Sequence, residues 1–170
     1  LMAKKITAIV TQKKAGRFNI YLDGKYAFPV SEDVLIKYRL AKGLELDEEM
    51  IERLQQADLL SKAYNKALVH LSYQLRTKIE FQTYLTKLEV PENDQDQIIS
   101  KLVELNLLDD LTYAKSYVRT AAKTTDKGPF VIAQKLKQKG VAEEFINEAL
   151  TEFSLEQQVQ TAFKLAEKFV

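Results

Sequence analysis

The chain has 170 residues, 46% hydrophobic and 29% charged, with a formal net charge of +1. That apolar content allows a buried core, while the lack of cysteine excludes disulfides, thiolate chemistry and Cys-containing zinc sites. One histidine and five scattered glycines supply neither a histidine metal cluster nor a phosphate-cradling loop, so the expectation is a protein that is not an enzyme and carries no cofactor and no metal.

Residues 1–44 are expected to form an N-terminal β-rich extension with a short helix. Ile6, Ala8 and Val10, then Phe18, Ile20 and Leu22, then Tyr26, Phe28 and Val30 alternate with polar neighbours, predicting three short strands. Asp23-Gly24 between the second and third suits a type I′ turn, whose two central residues need positive φ, and Pro29 confines the third strand to a short or edge position. Ser31 caps a helix expected to run to Leu40, with Glu32 and Asp33 at its positive end and Gly43 beyond it. Residues 45–60 then form a linker helix opened by Asp47, with Met50, Ile51, Leu54 and Ala57 on its apolar stripe.

From Ser61 the pattern is helical and repeats at about 50 residues. Ala63, Ala67 and Leu71 align with Ala114, Val118 and Ala122, Leu85 with Leu136, Val90 with Val141, and, after a gap of three or four residues, Ile99 and Val103 with Ile146 and Leu150. Three-helix repeats are therefore expected at 61–109 and 110–154, the second with helices near 110–124, 129–139 and 142–153. Pro129 suits a helix start and Gly140 a left-handed cap after a helix end. A third copy opens at Leu155, with Val159, Ala162, Phe163 and Ala166 at helical spacing, so 155–170 is expected to be the first helix of a truncated repeat. Leu1 ahead of Met2 is expected to be a cloning remnant. The fold class expected is mainly α with a small N-terminal β region, its tandem three-helix repeats stacked into an elongated, curved body.

Charge is segregated along the chain: residues 1–44 carry a net +6, 45–60 −5, 61–88 +4, 89–110 −6, 111–140 +6 and 141–170 −4. The alternation either builds basic and acidic faces or neutralises itself between neighbouring helices. Lys115, Arg119 and Lys123 recur at i, i+4 and i+8, which puts three cations on one helix face, apart from Ala114, Val118 and Ala122. Lys127 extends the cluster, Lys135, Lys137 and Lys139 follow, and Tyr113 and Tyr117 lie close enough either to stack on a base or to pack. Such a surface suits phosphates and salt-dependent binding without base specificity; the plainer alternative is a solvated helix face. Lys4, Lys5, Lys13, Lys14 and Arg17 form a second basic candidate, although lysines also guard sheet edges. His70 borders an apolar stripe and is expected to be structural, and Asp109-Asp110 directly precedes a helix, which favours capping over a carboxylate catalytic pair. No apolar run is long enough to cross a bilayer and the start lacks a secretory signal, so the expected address is the cytoplasm, with no membrane partner.

These residues carry a resemblance. Leu71-Ser72, Arg76-Thr77-Lys78-Ile79-Glu80-Phe81, Leu85 and the run Leu105 to Ala114 (LNLLDDLTYA), followed by Tyr117-Val118-Arg119, Lys127-Gly128-Pro129, Ile132, Leu136 and Lys139-Gly140-Val141, resemble the RecX family, regulators of the bacterial RecA recombinase. The resemblance covers most of the chain. It implies tandem three-helix repeats, usually three, and binding in the groove of a RecA filament on single- or double-stranded DNA. Thr77 stands where the family commonly has serine, Phe81 where leucine is frequent, and the third repeat is nearly absent, which shortens the contact surface. The function expected is non-enzymatic regulation of RecA-mediated recombination and DNA repair by a monomer, with inhibition of filament activity as the expected sense. Its contacts would be Lys115, Arg119, Lys123, Lys127, Lys135, Lys137, Lys139, Arg76 and Lys78. A nonspecific DNA-binding protein without a recombinase partner is the alternative, and a carboxylate hydrolase the remote third.

Overall fold

The computed structural model describes residues 2–124 and 128–168, and the chain divides into two compact units, residues 1–69 and 70–170. In the first unit, strands β1 (Lys4–Thr11), β2 (Arg17–Leu22) and β3 (Lys25–Ser31) form an antiparallel meander, and a two-residue strand β4 (Glu45–Leu46) adds to β1, giving the order β3-β2-β1-β4. Asp23 and Gly24 both have positive φ, 50° and 81°, as the turn requires, and Pro29 lies on the edge strand. β4 is too short to leave any periodicity in the sequence. Ile6, Ile20, Leu22, Phe28 and Val30 bury one sheet face against Val34, Leu40, Leu46 and Leu54. Each such burial stabilises by about 1.5–3 kcal/mol. Helix α1 (Glu32–Lys37) starts on Ser31, whose Oγ accepts the Val34 N–H, but ends three residues before the expected Leu40. Arg39 takes a left-handed φ of 52°, and the Leu40 N–H turns back to the Leu35 carbonyl at 3.0 Å, closing the helix.

Helix α2 runs unbroken from Glu48 to Tyr73, so the expected linker helix and the first repeat helix are one element. It is followed by α3 (Lys78–Lys87), α4 (Glu92–Glu104), α5 (Asp110–Thr124), α6 (Pro129–Gln138) and α7 (Glu143–Lys168). α7 likewise absorbs the residues read as the opening of a third copy, because nothing between Phe153 and Leu155 breaks a helix. Among the described residues the chain is mainly helical, with the small N-terminal sheet.

The repeat shows in the cores. Phe81, Leu85, Ile98, Leu102 and Leu108 are buried in the first set, and Ala114, Val118, Ile132, Leu136, Val141, Ile146 and Ala149 in the second. The third helix of the first set is aligned one residue away from expectation, since Ile98 and Leu102 are buried while Ile99 and Val103 are only half-buried. One residue is a 100° rotation on a helix, and the Ile98-Ile99 doublet leaves that rotation ambiguous in sequence. The helix ends explain two other equivalences. Val90 N–H bonds the Leu85 carbonyl and Val141 N–H the Leu136 carbonyl, each at 3.1 Å, with Glu89 (φ 60°) and Gly140 (φ 84°) left-handed in between. Leu85 and Val90, like Leu136 and Val141, are therefore the hydrophobic ends of one capping motif, which also closes α1 at Leu35 and Leu40 and α4 at Leu102 and Leu107.

Candidate nucleic-acid interface

The cations fall into three environments. Arg17, grouped by sequence with the lysines of the first segment, faces inward: its Nη1 and Nη2 donate to Asp58 Oδ1 and Oδ2 at 2.6 and 3.0 Å, with side-chain exposures of 12% and 6%. Asp58 Oδ1 also accepts the Ser31 N–H at 2.8 Å. This bidentate, nearly dry pair is structural, and Arg17 drops out of the second basic candidate.

In the second environment, Arg76, Lys78 and Lys139 surround the start of α3. Thr77 Oγ1 accepts the Glu80 N–H, Glu80 Oε1 accepts the Thr77 N–H in return, and the buried Thr77 hydroxyl donates to the Lys139 carbonyl at 2.7 Å. The Glu80 carboxylate also lies 3.8 Å from Arg76 Nη1 and 3.9 Å from Lys139 Nζ. Asp110 Oδ1 accepts the Lys78 N–H at 2.9 Å, while Asp109 accepts the Leu111 and Thr112 N–H groups, so the two aspartates cap two different helices. Capping at Asp109 is what the sequence suggests; the long-range cap by Asp110 is not. The Tyr113 pKa is raised chiefly by burial and further by Glu80, with Lys139 acting in the opposite sense. His70 stacks on Tyr84 at 3.7 Å with the rings 4° from parallel, and its pKa is lowered by burial and by Arg76. Arg76 and Lys139 thus serve a packed junction, and the exposed Lys78 adds a cation at its edge.

The third environment is α5. Ala114 and Val118 are fully buried, and Tyr113 and Tyr117 pack against the same core with rings 6.2 Å apart, so both tyrosines take the packing alternative. Lys115, Arg119 and Lys123 lie off that buried stripe. Lys115 Nζ is 2.9 Å from Glu152 Oε2, and Arg119 Nη2 is 3.8 Å from Glu152 Oε1. The Lys115 pKa is raised, first by its hydrogen bond to Glu152, and the Glu152 pKa is lowered by the same bond. Lys123, Lys135 and Lys137 are exposed, and Lys127 lies outside the described residues. Among the described residues no group of three or more His, Asp or Glu side chains could hold a metal, and no helix is long and apolar enough to cross a membrane.

Comparison with known proteins gives this arrangement a family. Residues 4–47 match the Regulatory protein RecX N-terminal domain, residues 63–102 the RecX first three-helix domain and residues 109–150 the RecX second three-helix domain. A crystal structure of regulatory protein RecX superposes with a TM-score of 0.84 at 50% identity, covering 97% of this chain and 81% of that one. The chain belongs to the RecX family. A crystal structure of RecX from Lactobacillus salivarius matches 66% of this chain and 73% of its own at 46% identity and a TM-score of 0.57. The regulatory protein RecX of Limosilactobacillus reuteri (strain DSM 20016) is 52% identical over 164 residues, 96% of this chain and 62% of the relative; that of Levilactobacillus brevis is 50% identical over 163 residues, 96% and 61%. The chain spans about three-fifths of the length of these curated relatives.

Set on the structure, the RecX resemblance divides. Of the residues that carry it, Asp109, Asp110, Leu136 and Gly140 build caps and the repeat cores, whereas Arg119 lies on the cationic face. Sequence reasoning missed the carboxylates that answer the cations. Asp58 had a signal, since it falls one turn after Leu54 on an apolar stripe where a charge demands a buried partner. Glu152 had none, because its partners lie on another helix.

Proposed function

We propose that this chain is a non-enzymatic regulator of RecA that binds along the RecA–DNA filament, with the cationic face of α5 as its main contact. The observation that supports this reading is the separation on α5 between a fully buried Ala114 and Val118 stripe and the Lys115, Arg119 and Lys123 side chains that lie off it. Lys135, Lys137 and Lys78 add exposed cations, Lys127 is a further contact by its place in the sequence, and Arg76 and Lys139 contribute field more than contact because Glu80 faces both. In this reading phosphates or acidic RecA surfaces are the counter-charge, electrostatics speeds encounter, and apolar contacts supply selectivity. The protein acts in the cytoplasm as a monomer, and inhibition of filament activity is the expected sense. That sense is set by differential affinity for filament states, which filament length followed over time by single-molecule fluorescence reads directly.

Replacing Lys115, Arg119 and Lys123 by glutamate is expected to abolish salt-sensitive binding in co-sedimentation with RecA–DNA filaments. Unchanged affinity and an unchanged salt slope would reject the α5 face. Equal binding to DNA with and without RecA would instead favour a nonspecific DNA-binding protein with no recombinase partner.

A further inference from the structure

The α5 face is not open. Glu152, on α7, places one carboxylate oxygen 2.9 Å from Lys115 Nζ and the other 3.8 Å from Arg119 Nη2. Two cations one helical turn apart that share the two oxygens of a single anion are arranged as they would be around a phosphate. Glu148, one turn earlier on α7, adds a weaker attraction at Lys115, so acidic charge approaches the cations from that helix. All three charged side chains remain substantially exposed, at 29%, 54% and 41% for Lys115, Arg119 and Glu152, so the carboxylate is held in a place that an external anion can reach. The pair is therefore poorly explained as a stability device, because exposed ion pairs contribute little to folding.

We propose that Glu152 is an internal occupant of a phosphate seat formed by Lys115 and Arg119, and that nucleic-acid binding at this face proceeds by displacing its carboxylate. The proposal rests on the reading of the α5 face as the contact surface. It makes Glu152 the residue that sets affinity there: the carboxylate keeps weak or diffuse anions off the seat, and only a polyanion that engages neighbouring cations as well displaces it. A consequence is that removing the carboxylate strengthens binding, the reverse of what losing an ordinary interface residue does.

The test uses the full chain and a fluorescently labelled oligothymidylate, with anisotropy titrations over a range of salt concentrations and a thermal melt for each variant. Glu152→Gln is expected to bind roughly three- to tenfold more tightly at low salt, with a log–log salt slope steeper by about 0.7, one additional phosphate neutralised on a single strand. Its melting temperature should stay near that of the parent, and Glu152→Ala provides a second variant should the glutamine perturb packing. In a Lys115→Gln/Arg119→Gln background the tightening should vanish. If the double variant weakens binding but Glu152→Gln does not tighten it, the contact face stands and the occupied seat is wrong. Equal tightening in both backgrounds marks a general charge effect and also overturns the seat. No weakening by the double variant removes the contact face itself, and the seat with it.

Discussion

In the N-terminal unit Arg17 meets Asp58 inside the fold, whereas in the helical unit Lys115 and Arg119 meet Glu152 at the surface. The chemistry of the pairs is the same and their surroundings are not. Asp58 spends its acceptors on a guanidinium fork and on the Ser31 N–H, so water and outside ligands have little access, and the pair ties β2 and the end of β3 to α2. Among the described residues, Glu152 meets cations that solvent also reaches. A buried pair is costly to break because each partner leaves an uncompensated charge behind; an exposed one exchanges its partner for water or for a ligand. Position in a basic cluster of the sequence therefore says little about availability, and burial says most.

The comparison is broken most directly at Asp58. Asp58→Ala strands the Arg17 guanidinium and is expected to cost about 3–5 kcal/mol in urea denaturation, while a paired apolar replacement, Arg17→Met with Asp58→Leu, returns most of it. A loss no larger than that of Glu152→Gln would mean that burial does not separate the two pairs.

Gly140→Ala comes next and probes the packing of the junction. A methyl there would enter a left-handed φ of 84° and lie 2.9 Å from Ile79 Cβ, costing about 2–4 kcal/mol by strain and overlap. Adding Ile79→Ala should recover the overlap part and leave the backbone part, a split that a double-mutant cycle measures. Thr77→Val should cost about 1–2 kcal/mol, since it removes the α3 cap and the partner of the Lys139 carbonyl. Thr77→Ser keeps both bonds and should fall within about 0.5 kcal/mol of the parent by the same measurement.

The smallest effect is the pH dependence at His70. Burial, then Arg76, hold its folded pKa below the ordinary histidine value, so the unfolded chain takes up the proton first. The contribution to stability is whole above the unfolded pKa, declines as pH falls through it toward the depressed folded value, and is constant below. His70→Phe, which keeps a ring over Tyr84, should flatten the urea midpoint between pH ~8 and ~5.5. An equal slope in the variant would place the pH dependence elsewhere.

Much of this protein was settled by local chemistry. The Asp23-Gly24 turn, the Ser31 cap, the edge position of Pro29, the Pro129 start and the left-handed Gly140 each follow from what one residue's backbone permits, and the 50-residue recurrence follows from stripes that must be buried. Those features act within one helical turn or one hairpin, which is the range over which sequence neighbours are also spatial neighbours. Tertiary structure decided the remainder: the rotation of α4 about Ile98, the two-residue β4, the cap lent by Asp110 to α3, and the carboxylates opposite Arg17, Lys139 and Lys115. Each depends on a partner between about 30 and 60 residues away, or on competition for the same core volume. Which cation is buried, which is shared and which is free to meet a phosphate is a property of those distant partners, and the periodicity of a single helix does not record it.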